Sequence, residues 1–243
     1  MRLFVRRAFM LCMLAVLLAV LLPVLAGAEG LRGYDAKAGY QYIALGTWPQ
    51  GENGETAPIL WRVLTADDKE ALLLSEYVLG ARRIHPVYED YVDFGGVWNL
   101  TDMHDFLNET FLPKAFTEGE GAMLLGSGEL GTVFLPSGED LSNKAYGFRD
   151  NKSRMGKGTP YALANGLFKY STKFSPYWTR SQSTTLISGA RCTKVKGNIG
   201  YIRVVVEDVG WRPACRLNLA AAETASGEGT LESPFTFLSR EAP

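Results

Sequence analysis

A serine or cysteine hydrolase needs a base beside its nucleophile, normally histidine, and this chain has only His85 and His104. His104 stands next to Asp105 in a helical pattern, where a solvated helix face accounts for it. His85 precedes Pro86 beside Arg82 and Arg83. Neither setting makes a convincing base, and no catalytic residue is assigned. Zinc sites use cysteine and histidine at short, regular spacings, whereas Cys192 and Cys215 lie far in sequence from both histidines. Glu89, Asp90 and Asp93 lack the regular spacing of a cation loop and read as a solvated segment. No metal and no cofactor are expected.

What remains is aromatic and cationic. Tyr146, Arg149, Arg154 and Tyr161 fall in a long stretch of weak apolar periodicity, residues 136–176, and Trp178 and Arg180 follow it. Rings beside guanidinium groups suit sugars, acidic glycans or protein surfaces, so these six are the candidate ligand-binding residues. Loops carry function more often than strands do. For Trp178 and Arg180, as for Trp211 and Arg212, core packing and strand bridging is the heavier alternative, because buried arginine persists where it is paired.

The N-terminus sets the compartment. Arg2, Arg6 and Arg7 precede an apolar run over residues 8–25, and Ala26-Gly27-Ala28 supplies a small-residue exit. This is the pattern of a secretory signal cleaved before Glu29, although the run is nearly long enough to serve as an uncleaved anchor. The product is expected outside the cytoplasm, touching membrane only through that segment. Loss of three of the 25 basic residues against 26 acidic ones leaves a net charge of −4, with no basic patch for nucleic acid. In an oxidising compartment Cys192 and Cys215 are the natural disulfide pair, a closure valued at about 3 kcal/mol by chain entropy. Two buried thiols that never meet are the alternative.

The elements that position these residues follow from periodicity. Strands are expected at 40–45, 59–64 and 71–75, with 46–57 as a loop and 66–70 as a hairpin turn. From Thr101, a capping residue, Met103, Phe106, Leu107 and Phe111 recur at helical spacing, and Pro113 ends or restarts the helix. Thr117 to Glu120 forms a second capping signature, and Thr159-Pro160 begins a third short helix that Gly166 closes. Strands at 132–135, 177–180, 190–195, 201–206 and 212–219 complete the set. The domain plan is a signal peptide at 1–28, a leader at 29–39, one α+β domain at 40–219 and a mobile tail at 220–243.

Several ordered phrases resemble a large uncharacterised family of secreted bacterial domains common in gut Firmicutes. Its FGxYPQ opening is matched by Leu45-Gly46-Thr47-Trp48-Pro49-Gln50 and its WRVL strand by Trp61-Arg62-Val63-Leu64, followed by Leu72-Leu73-Leu74-Ser75-Glu76-Tyr77. Its SDLRxWLNxxFLxxAFT helix is matched at Thr101-Asp102, Phe106-Leu107-Asn108, Phe111-Leu112 and Ala115-Phe116-Thr117. Its WWLRS is matched by Tyr177-Trp178-Thr179-Arg180-Ser181 and its GVRPAL ending by Gly210-Trp211-Arg212-Pro213-Ala214. The late phrases are also similar, more distantly, to the fold of C-type lectins and formylglycine-generating enzymes. The resemblance implies a mixed, mainly antiparallel sheet with two or three helices and long loops. It brings no activity. The two closely spaced copper-binding cysteines of the oxidising enzymes have no counterpart in Cys192 and Cys215, and the calcium phrases of lectins are missing.

The combined expectation is a non-catalytic extracellular domain that binds a glycan or a cell-surface protein. The alternatives are a diverged enzyme of the formylglycine-generating type and a structural module of a surface assembly.

Overall fold

The structure is a computed structural model that describes residues 31, 34, 36, 37, 39–169 and 174–240. The expected signal segment, 1–28, and much of the leader lie outside the described residues. Among those described, no helix is long and apolar enough to cross a membrane.

Two five-stranded sheets dominate an α+β arrangement. Strands β1 (Tyr42–Pro49), β2 (Thr56–Ala66), β3 (Glu70–Ser75), β13 (Ala214–Asn218) and β6 (Val133–Phe134) form the first, antiparallel throughout. The second runs β11 (Ile199–Arg203), β10 (Gly189–Thr193), β9 (Tyr177–Gln182), β12 (Gly210–Trp211), β5 (Gly80–Ala81), with one parallel pairing, β12 on β9. A small three-stranded sheet joins β4 (Tyr77–Val78), β7 (Gly156–Gly158) and β8 (Phe174–Ser175).

The first sheet is covered on both faces. Its alternating side chains feed different clusters: Val63, Leu73 and Cys215 enter the larger core, while Leu72, Leu74 and Ala214 enter a second one with Phe134, Phe148 and Tyr177. That is why β3 reads as an unbroken apolar run rather than as an alternation. After the short helix α1 (Tyr88–Asp93), the larger core is capped by a helix whose middle is a wide turn: α2 (Asp102–Asp105), a π turn (Phe106–Phe111) and α3 (Leu112–Ala115). Thr101 caps it by accepting from the His104 amide, and Pro113, which has no N–H to give to the preceding turn, falls just after the π turn. The Thr117 capping box opens α4 (Glu118–Ala122) as the pattern predicts.

Three expectations need correction. The loop placed at 46–57 is shorter, because β1 continues to Pro49 through an irregularity between Ala44 and Thr47. Gly46 makes this possible: its φ is +69°, and a Cβ there would lie 2.8 Å from the Ala115 carbonyl oxygen. The stretch 136–176 is not structureless. Beside the expected helix, α6 (Pro160–Ala164), it holds short 3₁₀ turns, α5 (Asn151–Arg154), β7 and β8, which are too brief for periodicity to betray them. The expected mobile tail forms a hairpin of β14 (Ala222–Ser226) and β15 (Thr236–Ser239). Phe235 and Phe237 enter the core, and Phe235 exchanges backbone hydrogen bonds with Tyr42 and Ala44, covering the edge of β1.

The expected disulfide is also corrected. Cys192 lies on β10 of the second sheet and Cys215 on β13 of the first; both are fully buried and both are free thiols. Burial pushes the Cys192 thiol up to about 11 and raises that of Cys215 as well. Thiols held protonated in apolar surroundings are poor nucleophiles. Both cysteines are therefore expected to resist a thiol reagent in the native protein and to react together on unfolding, while dithiothreitol leaves the melting temperature unchanged. A melting temperature that falls on reduction would restore the bridge.

Candidate functional site

The cleft that brings an aromatic ring together with polar side chains lies where three loops meet the start of β9's exposed half. It encloses about 380 Å³, with Trp98 and Asn99 on one wall, Glu129 on a second, and Ser137, Glu139, Arg180 and Ser181 on a third. Each wall is fixed by local chemistry. Trp98 opens a 3₁₀ turn (Trp98–Leu100) whose carbonyl receives the Thr101 hydroxyl at 2.7 Å, so the helix cap also anchors the ring. The indole N–H donates to the Leu130 carbonyl at 3.1 Å, tying the first wall to the turn that carries Glu129. Asn108 on the π turn holds β6 behind the cleft, accepting from the Thr132 and Val133 amides at 2.8 and 3.1 Å.

The third wall is a lattice of paired charges. Ser137 and Asp140 cap one another, the Ser137 amide donating to Asp140 at 2.7 Å and the Asp140 amide to the Ser137 hydroxyl at 2.9 Å. Arg180 donates to Asp140 at 2.8 Å and to the Leu135 carbonyl at 2.7 Å, with its guanidinium over the Phe134 ring. Glu139 receives Arg191 at 2.9 Å and the Ser181 hydroxyl at 3.3 Å. Its own backbone amide, with lesser help from Ser137, Arg191 and Ser181, holds its carboxyl below the usual range, so it is ionised at neutral pH. A Cβ on Gly138 would lie 2.6 Å from the Arg191 guanidinium carbon, so a larger residue there would displace that side chain.

Two other hollows are less suggestive. The larger, about 470 Å³, is bordered by Arg82, Arg83, Asn165 and Asp208. Its arginines are already paired, Arg82 with Asp102 at 2.6 Å and Arg83 with Glu207 at 2.5 Å. The third, about 300 Å³, is an apolar groove beside Phe168 and Ile202.

Of the six residues singled out in the sequence, Arg180 alone lines the cleft. Trp178 is fully buried, its indole donating to the Arg82 carbonyl at 2.8 Å, which makes it a core residue. Arg154 is spent on the Gly197 and Leu141 carbonyls and on Asn151. Tyr146 is half-buried, and its carbonyl accepts the Tyr40 hydroxyl at 3.2 Å. Arg149 is exposed and donates to the Lys37 carbonyl. Tyr161 is half-buried at the start of α6, its amide bonded to the Gln50 carbonyl at 3.0 Å. The six are not brought together. Trp98, Asn99, Glu129 and Glu139 escaped notice, although a tryptophan between a glycine pair and a helix cap, Gly95-Gly96-Val97-Trp98-Asn99, marks a ring held on a turn rather than on a core strand. Among the described residues no cluster of three or more His, Cys, Asp or Glu is arranged to hold a metal. Compared with known proteins, the chain matches no family model, no curated protein and no solved structure.

Proposed function

We propose that the chain is an exported, non-catalytic binding domain of the uncharacterised bacterial family whose phrases it resembles, with a C-type-lectin-like fold, and that the Trp98 cleft takes a glycan. The observation that carries this reading is a half-buried indole beside Arg180, Glu129, Glu139 and two serines in one open hollow. Sugars present apolar C–H faces ringed by hydroxyls, so a flat ring with donors and acceptors around it is the matching surface. The mixed, mainly antiparallel sheets with short helices and looped connections support the lectin-like reading of the fold. The formylglycine-generating alternative is less favoured, since both candidate thiols are buried on separate sheets.

The test is a glycan and cell-wall-fragment array probed with the wild-type chain and with Trp98→Ala. Truncating a central aromatic anchor costs about 2 kcal/mol, roughly thirtyfold in affinity, so the array signals should vanish, with thermal melting used to show that the variant, whose indole also packs on the core and bonds the Leu130 carbonyl, is still folded. Signals that survive Trp98→Ala would move the site elsewhere. An empty array would turn the reading toward a surface protein or a structural module.

A further inference from the structure

Resting on that reading of the Trp98 cleft, we infer that its preferred ligand is a sugar carrying a protonated amine, a hexosamine with its nitrogen unacylated, rather than an acidic or a plain neutral glycan. The cleft has one cation and more than one anion to offer, and they are not equally committed. Arg180 is neutralised by Asp140 at 2.8 Å and steadied by the Leu135 carbonyl, so its charge is already answered inside the protein. A uronate or sulfate entering the cleft would have to compete with Asp140 for it and would meet Glu129 and Glu139 on the way. Electrostatic repulsion of this kind discriminates between partners more strongly than it sets affinity.

One of the two carboxylates is in the opposite state. The exposed Glu129 carboxylate makes no hydrogen bond or ion pair among the described residues. Glu139 is ion-paired with Arg191 and accepts from Ser181 on its other oxygen, so its charge is answered and Glu129 is the uncommitted carboxylate of the cleft. A site with an uncommitted carboxylate calls for a ligand rich in donors, and an ammonium group brings three of them with a positive charge. The remaining N–H groups of Arg180 can still serve neutral hydroxyls while its net charge stays cancelled, so cation and ammonium are not set against each other. The Trp98 face adds a cation-attracting quadrupole to the same cleft.

The experiment is calorimetric titration of the full chain with three trisaccharides of matched length: β-1,4-glucosamine, its fully N-acetylated form, and a uronic acid trimer, at a pH where the free amines are protonated. The glucosamine trimer is expected to bind about tenfold more tightly than the acetylated one, the size of one charge-assisted hydrogen bond, and the uronate should bind most weakly. Glu129→Gln should bring the ratio of the first two affinities toward one, and added salt should erode it. Equal or reversed affinities, with binding still lost in Trp98→Ala, would overturn the amine preference and leave the cleft as a sugar site. Failure of all three trimers to bind, with the variants folded by thermal melting, would overturn the cleft reading itself.

Discussion

Glu76→Gln is expected to destabilise the protein by about 3 kcal/mol, the low end of the cost of breaking a buried ion pair by removing one partner, since the Glu76 side chain is 18% exposed. Among the described residues Glu76 is the one carboxylate paired with both of two buried guanidinium groups. Arg62 grips it with two bonds, Nε to Oε2 at 2.8 Å and Nη2 to Oε1 at 2.9 Å, while the Tyr40 ring lies 4.1 Å beneath the guanidinium. Burial works against the Arg62 charge, yet Glu76 together with Tyr40 and Tyr42 holds its pKa above the ordinary arginine value. Arg212 is fully buried and stands behind, its Nη2 3.9 Å from the same Oε2 and without a hydrogen bond of its own. It is held otherwise by the Ser75 carbonyl at 2.6 Å and the Tyr177 hydroxyl at 3.4 Å. The amide of glutamine preserves the shape and one acceptor but removes the charge, leaving two desolvated cations facing each other. Denaturant titration should show a midpoint shift at unchanged slope. Wild-type stability in Glu76→Gln would mean that water reaches the cluster and screens it. Partial recovery in the double variant Arg62→Met, Glu76→Gln would assign the loss to the stranded charge, since an apolar replacement of a buried pair is often neutral.

The long, strongly patterned elements were legible in the sequence, and so were the helix caps. The 59–64 and 71–75 strands pair as a hairpin, Thr101, Thr117 and Thr159 each cap a helix, and Arg212 bridges core strands as its burial rule implies. The misreadings share a physical cause: tertiary partners that local chemistry does not announce. Residues 220–243 are small and polar in composition, but a hairpin needs only Phe235 and Phe237 on one face once the edge of β1 is there to receive it. Cysteine pairing was inferred from compartment and count, neither of which constrains which sheet a strand joins. The site was missed for a similar reason. Arg149, Arg154 and Tyr161 are neighbours in sequence whose side chains serve different turns, whereas Trp98, Glu129, Glu139 and Arg180 are distant in sequence and converge through the Trp98–Leu130 and Arg180–Asp140 bonds.

Trp211→Ala should cost about 3–5 kcal/mol, as for large aromatic truncations in cores, a sizeable part of the 5–15 kcal/mol or so that holds a domain folded. The ring is 3% exposed and stands edge-on to three others, Phe111 at 5.1 Å, Phe106 at 5.3 Å and Trp48 at 5.7 Å. These contacts join β1, the π turn and β12, which belong to different layers, so the loss would loosen the helix from both sheets at once. Little can move in to fill the space. The facing residue on β5 is Gly80, where even a Cβ would lie 2.6 Å from the indole nitrogen, so that strand has no side chain to offer. Cavities that cannot collapse sit at the costly end of the range. Trp211→Phe restores part of the aromatic volume and should recover part of the stability, while Trp98→Ala, whose half-buried indole meets the core only from the cleft wall, should cost less than Trp211→Ala. A Trp211→Ala protein that melts like wild type but no longer binds its ligand would transfer this residue from the core to the site, and with it the Gly210-Trp211-Arg212 phrase.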